Sequence, residues 1–172
     1  MMELAVFGGL GSPVIVFPTS MGSYFDYENF GMVKALEEHI DKGQVQLVCI
    51  SSYDAESWYN KSVKPSVRAL NHLRYEQYIL DEVIPFIRKK NKNPFLITTG
   101  NSFGAYHAIN FGLRHPEIVK RCIGLSGIYD ITEYVDGYWD ENVYYNNPVQ
   151  YTANIHDPEY INRKKIERTA KY

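Results

Sequence analysis

Five short apolar runs, each bounded by turn-forming residues and alternating with longer segments of helical period, constrain this 172-residue chain more than any other feature. That alternation is the pattern of parallel strands joined by crossover helices. The expected strands are Glu3–Phe7, Pro13–Phe17, Gln46–Ile50, Phe95–Thr99 and Arg121–Leu125. Asn29–His39 reads as an amphipathic helix ending near Lys42-Gly43. Ser66–Lys90 places Val67, Leu70, Leu73, Tyr78, Ile79, Val83 and Ile87 at helical spacing. Pro85 predicts a bend or break near Asp81–Pro85, because proline removes a backbone bond and crowds the previous turn. Ser102–Arg114 reads as a helix stopped by Pro116.

No repeat, low-complexity tract or linker divides the chain, so residues 1–172 read as a single domain. After Ser126 the pattern changes, and the aromatic, turn-rich stretch 134–160 reads as a cap-like insertion over a site, since structureless connections of such length usually serve function. The 15 Tyr and 8 Phe suit walls that are apolar in body and polar at the tip. A formal net charge of −2 offers nucleic acid or an anionic membrane no electrostatic footing. The basic clusters Arg88-Lys89-Lys90 and Arg163-Lys164-Lys165 are accounted for by a helix end and a tail. The first residues have neither a basic n-region nor a small-residue cleavage site, and no apolar run reaches the ~18 residues of a membrane span. The expectation is a cytoplasmic protein with no membrane partner. Cys49 and Cys122 sit inside apolar runs, which favours reduced core thiols over a disulfide or a metal site.

The chemistry is carried by Gly100-Asn101-Ser102-Phe103-Gly104, which follows an expected strand and opens an expected helix. That context distinguishes a nucleophile elbow from a chance G-x-S-x-G. A serine at the apex of a strained strand-to-helix turn projects its hydroxyl clear of the sheet, and small residues on either side make room for the turn. The amide after the serine, here that of Phe103, then points with the positive helix end toward a developing oxyanion. A second donor in such a fold comes from the loop after an earlier central strand. Pro18-Thr19-Ser20-Met21-Gly22 is that loop, and the sequence does not choose between the Ser20 and Met21 amides.

The blocks VIVFPTSMG, DAESWYN, RYEQYILDEVIPFIR, TTGNSFGAYHAINFGLRHP, LSGIYD and YYNNPVQY, in this order, resemble the putative-esterase family of α/β-hydrolases, related to esterase D and the mycolyltransferase-like esterases. The resemblance runs from about Glu3 to about Arg163 and implies a three-layer α/β-hydrolase sandwich with a mainly parallel sheet of about five strands. It also implies hydrolysis of a carboxylic ester, or acyl transfer, through an acyl-enzyme on Ser102. A small ester or acyl ligand is the expected partner, with no cofactor and no metal. Phe103 and the Ser20-Met21 loop take the two sides of the oxyanion hole.

The family order places an acid and then a histidine well after the elbow. After the aromatic stretch this sequence offers only Asp157-Pro158-Glu159-Tyr160 and a basic tail, so the last strands, the last helix, the acid and the base are expected to be missing. His107 is five residues beyond Ser102, about 500° around the helix and a turn and a half away. His39, His72 and His115 read as surface or capping residues. His156, beside Asp157, is the one substitute base, although adjacent residues make a poor orienting pair. Weak or absent activity is therefore expected, with a non-catalytic binding or assembly module as the alternative. Missing strands would also leave Arg121–Leu125 as an edge open to a second copy of the chain.

Overall fold

The computed structural model describes residues 2–155. Strands β1 (Leu4–Phe7), β2 (Ser12–Phe17), β3 (Val45–Ile50), β4 (Leu96–Asn101) and β5 (Val119–Leu125) form one sheet in the order β1-β3-β2-β4-β5. β1 runs antiparallel to β3, and the other three pairings are parallel. Each strand overlaps its expected run and differs from it by at most two residues at either end.

Central strands covered on both faces need unbroken apolar runs. Val14–Phe17 and Leu47–Ile50 are accordingly buried throughout. Alternate side chains part to the two faces. Ile15, Phe17, Val48, Ile50 and Leu96 meet Tyr75, Ile79, Val83, Ile87, Ala108 and Phe111 on one side. Val14, Val16, Leu47 and Cys49 lie beneath Tyr27, Val33, Leu36 and Ile40 on the other. Helices therefore cover both faces of the sheet, giving the three layers. Cys49 on β3 and Cys122 on β5 are separated by β2 and β4, roughly 14 Å at the usual strand spacing. That is beyond disulfide reach. Among the described residues β5 pairs with β4 alone, and Ile123 and Leu125 are exposed.

The helices depart from expectation in two places. In place of one helix over Asn29–His39 there are three short ones, α1 (Asp26–Asn29), α2 (Met32–Ala35) and α3 (Glu37–Asp41). Gly31 takes a left-handed φ of 76° and ends the first, and Leu36, with ψ near 2°, separates the second from the third. The apolar spacing signalled contact with the sheet correctly but not a continuous axis. Pro85 does not break the long helix. α4 (Pro65–Tyr78) passes through a π-turn at Ile79–Val83 into α5 (Ile84–Lys90), with helical torsions kept at each junction. The wider turn takes up the missing proline N–H without a break.

α6 (Phe103–Arg114) descends from the end of β4. Beyond β5 the chain forms a 3₁₀ turn (Thr132–Tyr134), α7 (Glu141–Tyr144), whose first turn is capped by Asp140, and α8 (Pro148–Ala153). Ile131, Val135 and Val143 are buried with Trp58, Ala69, Phe103 and Tyr106, so this segment packs onto α4 and the start of α6. The Tyr106 hydroxyl donates to the Asn146 carbonyl and Asn110 Nδ2 to Asn146 Oδ1, both at 2.9 Å. Residues 156–160 of the stretch read as a cap lie outside the described residues.

Candidate active site

Ser102 sits between β4 and α6 with φ 55° and ψ −123°, a region that side-chain-bearing residues seldom occupy. Serine is a common helix cap, yet the Ser102 side chain makes no capping bond to α6. Its amide donates to the Leu125 carbonyl at 3.0 Å, tying the apex to the end of β5. Two glycines make this turn possible. A Cβ on Gly100 would lie 2.2 Å from the Gly104 carbonyl oxygen, and one on Gly104 would lie 2.2 Å from that of Pro18. Both obstacles are backbone and cannot swing aside. Gly104→Ala is therefore expected to cost about 1–3 kcal/mol or more, read as a fall in the thermal midpoint.

The closeness of Gly104 to Pro18 brings the loop after β2 against the start of α6. In that loop the Gly22 amide donates to the Thr19 carbonyl at 2.9 Å, and Met21, third residue of the turn, has φ 54°. This is the pattern of a type II turn, where the third position favours glycine. The Met21 amide donates to Asp54 Oδ2 at 2.9 Å. Of the two amides the sequence left open, that of Met21 is thus already engaged. The Ser20 hydroxyl accepts from the Tyr59 hydroxyl at 2.8 Å, and the Tyr134 hydroxyl lies 3.2 Å from that of Tyr59. Burial first, and the bond to Tyr59 second, push the Tyr134 phenol up. Phe103 is wholly buried, with its ring about 5.1 Å from those of Tyr59, Tyr106, His107 and Tyr134. Its amide, at the first position of α6, has no partner within the helix.

None of the four histidines among the described residues hydrogen-bonds Ser102. His107 is buried, with Nε2 2.7 Å from Asp54 Oδ1 and its ring stacked on Phe17. His72, expected as a surface or capping residue, is instead buried between Trp58, Tyr106 and His107, and burial first and the nearby His107 second push its pKa down to about 3. His115, expected as a surface or capping residue, is the C-cap of α6, partly buried and paired with Glu76. His39 is exposed and meets Gln44 Oε1 at 2.6 Å. His156 lies outside the described residues. No group of three or more His, Cys, Asp or Glu side chains among the described residues is placed to hold a metal. No described helix is long and apolar enough to cross a membrane.

Residue-by-residue reading missed Asp54, Tyr59 and Tyr134 as parts of this site. The available signal was an acid placed just after a buried strand and followed by Trp58 and Tyr59, an aromatic setting in which a carboxylate has to find internal donors.

A mainly parallel sheet with helices on both faces and a strained serine turn between strand and helix defines the α/β-hydrolase class. The family described as "Putative esterase" matches residues 9–166, and the chain belongs to it. No curated protein matches the chain by sequence. Among solved structures it is similar to substrate-bound FphF, a fluorophosphonate-binding serine hydrolase of Staphylococcus aureus (15% identity, TM-score 0.59, 81% of this chain and 56% of that one). It is also similar to the S-formylglutathione hydrolase FrmB of the same organism (15%, 0.61, 89% and 64%) and to MPT51 of Mycobacterium tuberculosis (16%, 0.54, 79% and 49%). At such identities the likeness is one of fold. The chain spans between about half and two thirds of the length of these structures.

Proposed function

We propose that the chain is the nucleophile-bearing part of a serine esterase that acts on a carboxylic ester through an acyl-enzyme on Ser102. The oxyanion would be held by the amides of Phe103 and Ser20. The observation that carries this reading is the Ser102 turn, whose strained torsions and unused capping group have no structural purpose that a less strained residue would not serve better. FrmB, an S-formylglutathione hydrolase, is one guide to the class of substrate. A fluorophosphonate probe tests the reading, since it labels activated serines. Slow labelling confined to Ser102 and lost in Ser102→Ala is expected. Modification elsewhere, or an equal rate in the alanine variant, would remove Ser102 from the chemistry.

A second reading, non-catalytic binding of a small acyl ligand, is favoured by the engagement of the described histidines elsewhere. Loss of the histidine from a serine triad costs on the order of 10⁶-fold in turnover. Saturable binding of a short-chain acyl compound with no labelling of Ser102 would establish this second reading.

A further inference from the structure

Asp54 has no part in the chemistry proposed above, yet its carboxylate is wholly buried and touches both halves of the site. Oδ2 accepts the Met21 amide at 2.9 Å, and Oδ1 meets His107 Nε2 at 2.7 Å. Met21 belongs to the turn after β2, and His107 to α6, the helix that Ser102 opens. A buried carboxylate is costly unless its acceptor sites are filled, and packing alone is served as well by apolar groups of equal volume. What apolar groups cannot provide is an acceptor for Met21.

That acceptor matters because Met21 stands where a type II turn favours glycine, with φ 54°. The bond to Asp54 commits the Ser20–Met21 peptide, N–H inward, which leaves the Ser20 amide as the remaining donor of the two. A second brace comes from the same stretch of chain. The amides of Ser57 and Tyr59 both donate to the Asp54 carbonyl, at 3.1 and 3.0 Å, and the Tyr59 hydroxyl reaches Ser20 Oγ. Resting on the Ser102 reading, we infer that Asp54, braced by His107, is a positioning residue that sets the Thr19–Gly22 turn against the nucleophile helix and so places the second oxyanion donor.

The test uses the whole chain and two variants. In Asp54→Asn the amide oxygen still accepts from Met21, and its NH₂ donates to His107 in the other tautomer, so function is rescued. In the double variant Asp54→Leu/His107→Phe both buried polar partners become apolar, which keeps the core intact while Met21 loses its acceptor. Two measurements follow: hydrogen exchange over residues 18–24 against residues 46–50, and the saturating rate of fluorophosphonate labelling. Exchange at 18–24 should rise at least about tenfold in the double variant, with 46–50 unchanged. Its saturating labelling rate should fall by about 10²-fold, the scale of a misplaced catalytic group, with half-saturation unaltered. Asp54→Asn should stay within about threefold of the parent on both, a difference of the size mutational context alone produces. Unchanged exchange and labelling in the double variant would overturn the inference, as would an Asp54→Asn variant as impaired as the double one. Should the parent not label at all, the Ser102 reading fails, and the exchange measurement still decides whether Asp54 holds the turn.

Discussion

Acidifying the protein from pH 6.5 to pH 4.5 is expected to lower its unfolding free energy by on the order of 2 kcal/mol through His72 alone. The folded His72 has its pKa pushed down to about 3, first by burial and then by His107, against an ordinary 6.5. The unfolded chain therefore binds a proton at His72 below pH 6.5 that the folded chain refuses. This contribution is whole above pH 6.5 and is lost as the pH falls toward 3. Glu76 adds a second loss lower down. Burial raises its carboxyl, but hydrogen bonds from His115 and Arg114 and the Arg114 charge outweigh burial and hold it at about 2 against an ordinary 4.5. The Glu76 contribution is present above pH 4.5 and disappears as the pH falls toward 2. The His72 contribution between pH 6.5 and 4.5 can be isolated by substitution. His72→Phe keeps a ring among Trp58, Tyr106 and His107 and gives up only a long 3.4 Å contact with the Tyr106 hydroxyl. Urea midpoints at pH 7, 6 and 5 should fall more steeply in the parent than in His72→Phe. Parallel declines in the two proteins would mean that His72 is not the group taking up the proton.

The placement of His72 shows where reading from sequence runs out. Its helix was foreseen, and Val67, Leu70 and Leu73 marked an apolar face, but Val67 and Leu70 are exposed while Arg68, Ala69, His72, Tyr75 and Glu76 are the buried side. The sequence places His72 at the surface or at a cap, because polar side chains usually stay in water. Arg68, His72 and Glu76 instead meet Tyr134, Tyr106 and Arg114 at separations of 66, 34 and 38 residues, and a partner so distant leaves no local trace. Asp54 is the sharpest case, bonded to Met21 and His107 at separations of 33 and 53 residues. The strands were legible because a doubly covered sheet demands unbroken apolar runs at every central position, a local requirement. So was the Ser102 turn, since Gly100 and Gly104 are needed by contacts within a few residues and with the neighbouring strand end. The choice between Ser20 and Met21 was not legible, because it depends on which amide Asp54 occupies.

Arg68→Met is expected to cost on the order of 3 kcal/mol and to loosen the segment that follows β5. The Arg68 guanidinium is 3% exposed on α4. Its Nε donates to the Asn60 carbonyl and its Nη1 to the Tyr134 carbonyl, both at 2.7 Å. Methionine preserves much of the apolar stem and removes the donors, leaving two backbone carbonyls short of partners. Nη1 also reaches Asp136 Oδ2 at 2.6 Å, but that carboxylate lies at the surface and is shared with Lys61, so the ion pair contributes little. Asp136→Asn separates the two effects: asparagine tolerates the φ of 49° at this position and leaves both carbonyl bonds in place, so its thermal midpoint should scarcely move. The consequence of Arg68→Met extends to the site. Tyr134 carries one of the released carbonyls, and its ring packs against Phe103 and Tyr59, whose hydroxyl holds Ser20. Hydrogen exchange over residues 131–138 should therefore quicken in Arg68→Met together with that over residues 18–24, while residues 46–50 on β3 keep their protection. Equal midpoints for Arg68→Met and Asp136→Asn would instead place the stabilisation in the surface ion pair and leave the Thr19–Gly22 turn independent of the segment packed against it.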